Sequence, residues 1–187
     1  MPDPTLLFII ICFAIKIAFW VSKLSSTKKT VKDTGGGLLR FLFYFSIVLL
    51  AFLQSRIDFL NINLWSDTLM TRIIADVVTF AGLLVMLWAR KTLDRNWSAN
   101  VVLKENHELV TSGPYAFVRH PIYTGLILMV LGVVLYVDTL AFTFFFVLFF
   151  FGAYYKAKKE ENLLVGHFSD KYLEYKKKVK ALIPFVF

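Results

Sequence analysis

The segment RHPIYTGLILMVLGVVLYVDTLAFTFFFVLFFFGAYYKAKKEE, residues 119–161, decides the fold of this chain. It contains two apolar runs, 121–137 and 139–155, which are separated by the single charged residue Asp138. A helix needs about 20 apolar residues to cross the ~30 Å hydrocarbon core of a bilayer, and runs of about 17 can suffice. We therefore predict a helical hairpin in a membrane, closed by a tight turn near Asp138.

The composition of the whole chain also favours lipid as the solvent. Of its 187 residues, 58% are hydrophobic and 18% are charged, and phenylalanine occurs 20 times. Soluble domains average about 45–50% apolar and 25% charged residues, and a chain this short has too much surface to bury so many aromatic side chains in water. The composition argues against a disordered chain, a disulfide scaffold and an ordinary cytosolic enzyme.

Three further apolar runs precede the hairpin, at about 5–21, 38–53 and 69–89. We predict an all-α membrane protein with five transmembrane helices, forming one domain over residues 1–187. The first run has no basic segment before it and a basic connection after it, which indicates a retained span and not a cleaved signal peptide. In this arrangement the basic loops share one side, so the positive-inside rule places the N-terminus outside and the C-terminus in the cytoplasm.

Polar residues collect in three clusters that this topology places on the cytoplasmic side. They are His107-Glu108-Leu109-Val110 with Gly113-Pro114-Tyr115, Arg119-His120-Pro121-Ile122-Tyr123, and Lys156-Ala157-Lys158-Lys159-Glu160-Glu161. Because the two helices form a hairpin, the second and third clusters must be neighbours at its open end. Each cluster alone also has a purely structural explanation: a Gly-Pro turn, anchors at the membrane interface, or a surface ion pair between Lys156 and Glu160.

The tail after the hairpin carries apolar and aromatic residues at steps of four, four, three and four, which is one face of a helix. They are Leu164, Phe168, Tyr172, Tyr175 and Val179, with lysines on the other faces. We predict an amphipathic helix that lies at the membrane surface or packs on the cytoplasmic loop. The formal net charge of +8 favours anionic lipid over nucleic acid as the partner of such a surface.

Metal chemistry is not indicated by the residue pattern. The single cysteine, Cys12, lies in an apolar run and is expected to be a small buried hydrophobe. The three histidines have no spacing typical of metal ligands. We therefore predict no metal site.

The order and spacing of the polar motifs resemble the isoprenylcysteine carboxyl methyltransferase family and its wider kin of membrane-embedded methyltransferases, which include phospholipid N-methyltransferases. The resemblance covers roughly the C-terminal half of the chain and rests on Asn96-Trp97-Ser98, His107–Val110, Gly113–Tyr115, Arg119–Tyr123, Glu160-Glu161 and Phe168–Tyr175. The N-terminal spans resemble the compact five-span prokaryotic members only in kind.

The resemblance implies S-adenosyl-L-methionine as the cofactor, held by the regions 90–123 and 156–187. It assigns cofactor binding to His107, Glu108, Leu109, Val110, Tyr115, His120, Pro121, Ile122, Tyr123 and Glu160. It assigns the reaction itself to Arg119, Lys156 and Glu161, of which Arg119 and Glu161 would support the pocket. Family members have a substrate-contacting arginine at the position of Lys156, and lysine lacks the two-pronged carboxylate grip of arginine.

The predicted activity is methyl transfer to a lipophilic acceptor from the bilayer, with carboxyl O-methylation of an isoprenylcysteine-like substrate as the leading hypothesis. A carboxylate acceptor needs no general base, whereas an amine or a hydroxyl would need one, for which His120 or Glu161 could serve. The alternatives are N- or O-methylation of a phospholipid or another lipid, a non-catalytic membrane subunit that binds anionic lipid, and a reductase-like relative that uses a nicotinamide cofactor.

Overall fold

The computed structural model describes residues 3–23, 30–33, 56–94, 102–104 and 108–184. Within these ranges the chain forms five α-helices: α1 (Pro4–Ser22), α2 (Leu69–Leu93), α3 (Pro121–Val137), α4 (Leu140–Phe168) and α5 (Asp170–Lys178). Two short 3₁₀ turns, Asp58–Asn61 and Gly113–Ala116, precede α2 and α3. The span predicted at 38–53 lies outside the described residues.

Three of the described helices, α1, α2 and α4, are long and apolar enough to cross a membrane. Helix α3 is also apolar, and its 17 residues reach the lower end of the range needed for a span. The predicted helix at 121–137 is confirmed at both ends. The chain is therefore a mainly helical membrane protein.

Asp138 closes the hairpin between α3 and α4. It ends α3 with a φ of 51° and a ψ of 50°, a left-handed conformation in which aspartate is enriched among non-glycine residues. Its Oδ1 accepts hydrogen bonds from the backbone N–H groups of Leu64 and Trp65, both at 2.9 Å. The turn predicted near Asp138 is confirmed, and the same side chain also ties down the segment that leads into α2.

Helices α2 and α3 approach each other closely through glycines. A Cβ atom added at Gly82 would lie 2.5 Å from the carbonyl oxygen of Gly125 and 2.7 Å from the backbone nitrogen of Met129. The buried core cluster beside this contact consists of Cys12, Leu83, Met86 and Met129. The predicted burial of Cys12 is confirmed, and α1 joins the pair through this cluster.

The described residues confirm the helical class of the all-α prediction and add a short two-stranded antiparallel sheet that was not predicted. Strand β1 (Thr30–Asp33) pairs with β2 (Val102–Lys104), with Thr30 opposite Lys104 and Asp33 opposite Val102. Segments this short carry no periodicity that distinguishes them from loops. Their pairing also joins residues about 70 positions apart, which no local pattern reveals.

The amphipathic tail also differs from the prediction of one continuous helical face. Helix α4 continues past the apolar run to Phe168, and Ser169, with a φ of 49°, separates it from α5. Tyr172 and Tyr175 of α5 are buried, so this helix packs its aromatic face inward. Leu164 and Phe168 lie in α4, Tyr172 and Tyr175 lie in α5, and Val179 caps α5. The predicted positions are therefore divided between two helices by the break at Ser169.

Candidate active site

The two ends of the hairpin meet in a direct contact between side chains. The Tyr123 hydroxyl, on the first turn of α3, donates a hydrogen bond to Oε2 of Glu160, on α4, at 3.0 Å. Pro121 starts α3 and His120 occupies its N-cap position, as expected for a proline that lacks an N–H and has a preset φ. The predicted proximity of the second and third polar clusters is confirmed.

Two side chains contact the Tyr123 ring at this end. The ring of His120 stacks on it with centroids 5.6 Å apart and an interplanar angle of 29°. The ammonium of Lys156, on α4, lies 5.6 Å from the centroid of the Tyr123 ring, within the range of a cation–π contact. Lys156 and Glu160 are four residues apart on α4, so the helix presents a cation and an anion on one face.

Glu161 is a charged residue buried just behind this face. Its side chain is 1% exposed, and its Oε1 accepts hydrogen bonds from Nε and Nη2 of Arg119 at 2.9 and 2.5 Å. The ammonium of Lys176, on α5, lies 2.9 Å from the other oxygen, Oε2. Cations from two other parts of the chain therefore engage both oxygens of one carboxylate.

The protonation of Glu161 follows from these contacts. Glu161 lies on α4 beyond the apolar section, which ends before Lys156. Burial by itself would raise the pKa of its carboxyl group, but the contacts with His120, Lys176 and Arg119 outweigh burial and hold the pKa well below its ordinary value. Glu161 is therefore a carboxylate and a weak proton acceptor.

His120 lies between the two adjacent glutamates. Its Nε2 is 3.4 Å from Oε1 of Glu161 and its Nδ1 is 3.8 Å from Oε2 of Glu160. The side chain of His120 is 4% exposed, whereas that of Glu160 is 36% exposed. Glu160 thus faces the accessible side of the cluster, and Glu161 faces its interior.

The end of the described chain forms the back of the site. The backbone N–H groups of Arg119 and His120 donate to the carbonyl oxygens of Lys180 at 2.8 Å and Ala181 at 3.0 Å. The Thr124 hydroxyl donates to the Leu182 carbonyl at 2.7 Å. This parallel pairing of the 118–120 segment with the 180–182 segment anchors the start of α3 to the tail.

The guanidinium of Arg119 joins the tail to Glu161. Besides its contacts with the carboxylate, it donates to the carbonyl oxygen of Val179 and, at 3.3 Å, to that of Lys176. These carbonyls lie at the C-terminal end of α5, where helix carbonyls lack partners within the helix. Arg119 thus completes the end of α5 while it neutralises Glu161.

The Gly113–Ala116 turn brings Tyr115 into the same region. Gly113 has a φ of 59°, a conformation that glycine adopts without strain. Tyr115 is buried, and its carbonyl accepts a hydrogen bond from the Tyr175 hydroxyl at 2.5 Å. Burial raises the pKa of both phenols, so both remain protonated.

The other residues predicted to bind the cofactor are placed less closely together. Glu108 is exposed, and Leu109 and Val110 are partly buried. Pro121 is buried, and Ile122 packs partly against the core cluster around Met86. His107 lies outside the described residues. Of the predicted site residues, those that contact one another directly at the open end of the hairpin are Arg119, His120, Tyr123, Lys156, Glu160 and Glu161.

The sequence reasoning missed the contribution of α5 and the tail to this cluster. Lys176 reaches Glu161, and Tyr175 reaches the backbone of Tyr115, across 60 residues of sequence in the second case. Both residues lie in the lysine-rich helix, which was predicted to lie at the membrane surface or to pack on the loop before α3. The contact of Tyr175 with Tyr115 bears out the second alternative, but the contact of Lys176 with Glu161 was not predicted. No motif signals these contacts, because they depend on the bend at Ser169.

Comparison with known proteins identifies the family. Residues 73–166 match the model of the isoprenylcysteine carboxyl methyltransferase (ICMT) family. Protein-S-isoprenylcysteine O-methyltransferase of Schizosaccharomyces pombe is 40% identical over 98 residues, 49% of this chain and 40% of that protein. The Saccharomyces cerevisiae protein of the same name is 30% identical over 148 residues, 75% of this chain and 62% of that protein. The cobalt-zinc-cadmium resistance protein CzcN of Cupriavidus metallidurans is 34% identical over 96 residues, 50% of this chain and 44% of that protein.

The fold and the polar cluster define a helical membrane protein with paired carboxylates at the open end of a hairpin. The family match covers half of the chain and includes α3, most of α2 and nearly all of α4. The chain belongs to the isoprenylcysteine carboxyl methyltransferase family, as the sequence motifs predicted. It spans 40% and 62% of the lengths of the two yeast relatives.

Proposed function

We propose that this protein is an integral membrane methyltransferase that uses S-adenosyl-L-methionine and methylates the carboxylate of an isoprenylcysteine-like acceptor. The observation that carries the proposal is the contact of Tyr123 with Glu160 at 3.0 Å, with Lys156 over the same tyrosine ring. This arrangement places a partly exposed carboxylate, an aromatic ring and a cation together at one end of a membrane hairpin. Membership of the family and the names of its yeast members support the same reaction.

The residues of the cluster fit the chemistry of the proposed cofactor. S-Adenosylmethionine carries an ammonium group, a sulfonium and an aromatic base. The partly exposed Glu160 can accept hydrogen bonds from the ammonium, and the aromatic surface of Tyr123 suits a cation. We also assign cofactor binding to Tyr115 and His120, which lie near this cluster. On the sequence motif alone, we assign the same role to His107, Glu108, Leu109, Val110, Pro121 and Ile122.

We assign Arg119 and Glu161 to the support of the site. Both side chains are buried, at 6% and 1% exposure, and each engages the other. A carboxylate whose pKa is held low by neighbouring cations is a poor general base, so Glu161 does not suit proton abstraction. Glu161 instead neutralises Arg119 and contacts His120 from the buried side of the site.

We assign the recognition of the acceptor to Lys156. Its ammonium is a single point charge that can attract a carboxylate without the fixed two-pronged geometry of arginine. A carboxylate acceptor loses its charge as it becomes an ester, so no side chain has to remove a proton. The bound cofactor would supply an activated methyl group, and the protein would contribute mainly alignment and exclusion of water.

An alternative acceptor is the amine or hydroxyl of a lipid. The observation that favours it is the replacement of the expected arginine by Lys156, because a point charge is less selective for a planar carboxylate. In that case His120, which is close to both glutamates, is the candidate for the proton acceptor.

The orientation that we propose places the N-terminus outside and α5, the tail and the active site in the cytoplasm. Five spans would result if the apolar run 38–53 also crosses the membrane. Basic residues are concentrated after α2 and around α5, which the positive-inside rule assigns to the cytoplasmic face. The whole chain would form one membrane-embedded catalytic domain.

Titration calorimetry of the detergent-solubilised protein with S-adenosylhomocysteine tests the proposal. We expect measurable binding by the wild type, a loss of about tenfold or more in Glu160→Gln, and no loss in the control Glu174→Gln, which alters an exposed glutamate of α5. Absence of binding by folded wild-type protein would reject the proposal. Methyl transfer from labelled S-adenosylmethionine, offered in turn to N-acetyl-S-farnesylcysteine and to a phospholipid with a free amine, then separates the acceptors, because an ester product is hydrolysed by base and a methylamine is not.

A further inference from the structure

Lys176 connects α5 to the interior of the candidate site. Its Nζ lies 2.9 Å from Oε2 of Glu161, although the Lys176 side chain is 37% exposed and the Glu161 side chain only 1%. The Lys176 backbone takes part as well, since its carbonyl accepts a hydrogen bond from Nη1 of Arg119 at 3.3 Å. One residue of α5 thus holds both members of the buried ion pair.

The two cations divide the carboxylate of Glu161 between them. Arg119 donates twice to Oε1, and Lys176 lies at Oε2. Lys158, on α4 itself, is farther from Oε2, at 3.7 Å, and is 41% exposed. A carboxylate held at both oxygens has a fixed plane, whereas one held at Oε1 alone can rotate about its Cγ–Cδ bond.

The orientation of Glu161 is transmitted to the accessible face of the site. Oε1 of Glu161 lies 3.4 Å from Nε2 of His120, and Nδ1 of the same ring faces Glu160 at 3.8 Å. The His120 ring also stacks on Tyr123, which donates to Glu160. A shift of the Glu161 carboxylate therefore reaches both groups that contact Glu160.

We propose that Lys176 is a positioning residue for the methyl donor: it fixes the Glu161 carboxylate and, through His120 and Tyr123, the orientation of Glu160. This inference rests on the proposed function. Lys176 itself touches neither the donor nor the acceptor in this proposal. Its effect is expected on donor affinity, because Glu160 is the proposed partner of the donor's ammonium.

The test compares substitutions at three lysines by titration with S-adenosylhomocysteine. We expect Lys176→Met to raise the Kd about tenfold, since misplacement of a site residue through its supporting contact costs factors of this order. Lys176→Arg keeps the cation and is expected to stay within about threefold of the wild type. Lys158→Met and Lys177→Met are the controls; the first removes the more distant cation at the same oxygen, and the second an exposed lysine of α5.

Steady-state kinetics adds a measurement that general loosening of the fold would not reproduce. In Lys176→Met the KM for S-adenosylmethionine should rise about tenfold, while the KM for N-acetyl-S-farnesylcysteine stays unchanged. Equal increases in both constants, or a Kd in Lys176→Met equal to that of the wild type, would overturn the inference. A folded Lys176→Arg variant that loses tenfold in affinity would also overturn it, and this variant decides the matter if Lys176→Met does not fold. Failure of the proposed function has a separate sign, which is that the wild type itself does not bind S-adenosylhomocysteine.

Discussion

Glu161 is held by three side chains from two parts of the chain: the adjacent Arg119 and His120 at the start of α3, and Lys176 on α5. An ion pair buried to this degree adds little to stability compared with an apolar pair of the same shape, but loss of one partner leaves an uncompensated charge. At the scale of the residue, the buried pair therefore makes the stability of the candidate site sensitive to single substitutions.

Replacement of Glu161 by glutamine tests this sensitivity. We expect Glu161→Gln to lower the free energy of unfolding by about 3–5 kcal/mol, because Arg119 stays buried without its counter-charge. The comparison is Arg72→Met, which breaks ion pairs with Asp67 and Asp3 near the start of α2, where the three side chains are 25–57% exposed. Equal losses in the two variants, measured by unfolding of the detergent-solubilised proteins, would contradict the assigned role of burial.

The pH dependence of stability provides a second test at this residue. The folded-state pKa of Glu161 is below its ordinary value of 4.5, so its stabilising effect is complete at higher pH. That effect is lost as the pH falls from the unfolded-state pKa toward the folded-state pKa. The melting temperature of the wild type should fall between about pH 5 and pH 3, and that of Glu161→Gln should fall less over the same interval. An equal fall in melting temperature for the two proteins over this pH interval would disprove the assignment.

At the scale of the element, the contact between α2 and α3 depends on the absence of side chains at two glycines. Gly82 and Gly125 face each other, and a Cβ on Gly125 would lie 2.6 Å from the carbonyl oxygen of Gly82. Small residues allow membrane helices to approach closely, and the gain comes from van der Waals packing and not from water. This packing sets where the start of α3, and hence Tyr123, lies.

A pair of glycine substitutions separates packing from helix propensity. Gly82→Ala should destabilise the protein by about 1–3 kcal/mol, because its Cβ would overlap backbone atoms of α3. Gly152→Ala, in α4, is the control, since no described atom lies within 4 Å of the added Cβ. It should be neutral or stabilising by up to about 1 kcal/mol, as expected for glycine in a helix. The measurement is unfolding in mixed detergent micelles followed by tryptophan fluorescence.

Helix α3 could be predicted to the residue because both its ends are local features, whereas α4 continues past its predicted end at 155 to Phe168. Pro121 starts α3, and Asp138 ends it, and both signals lie within the segment that they delimit. The β1–β2 pair and the bend at Ser169 could not be predicted in this way. The first depends on a partner about 70 residues away. The second places a serine at a positive φ, which is uncommon for residues other than glycine, asparagine and aspartate.

The candidate site shows the same division. The meeting of Tyr123 and Glu160 followed from the hairpin topology, which brings the ends of consecutive helices together. The positions of Lys176 and Tyr175 did not follow, because they depend on how a short helix folds back after α4. The sequence therefore predicts the accessible face of the site better than its support.

At the scale of the whole molecule, the lone cysteine makes the orientation in the membrane testable. Cys12 is 2% exposed, so a Cys12→Ser background removes only a buried thiol. In that background Asn63→Cys should react with a membrane-impermeant maleimide in intact cells, and Glu174→Cys only after permeabilisation. Both positions are exposed. The reverse pattern would invert the proposed topology and place the active site outside the cytoplasm.

The pairing of residues 118–120 with 180–182 has a consequence for biosynthesis. Chains emerge from the ribosome N-terminal end first, so α3 enters the membrane while its partner about 60 residues later has not yet been made. Until that segment arrives, the amides of Arg119 and His120 lack their acceptors and Glu161 lacks its second counter-ion. The supporting contacts of the candidate site would thus be completed only after the insertion of α3 and α4, when residues 180–182 have been translated.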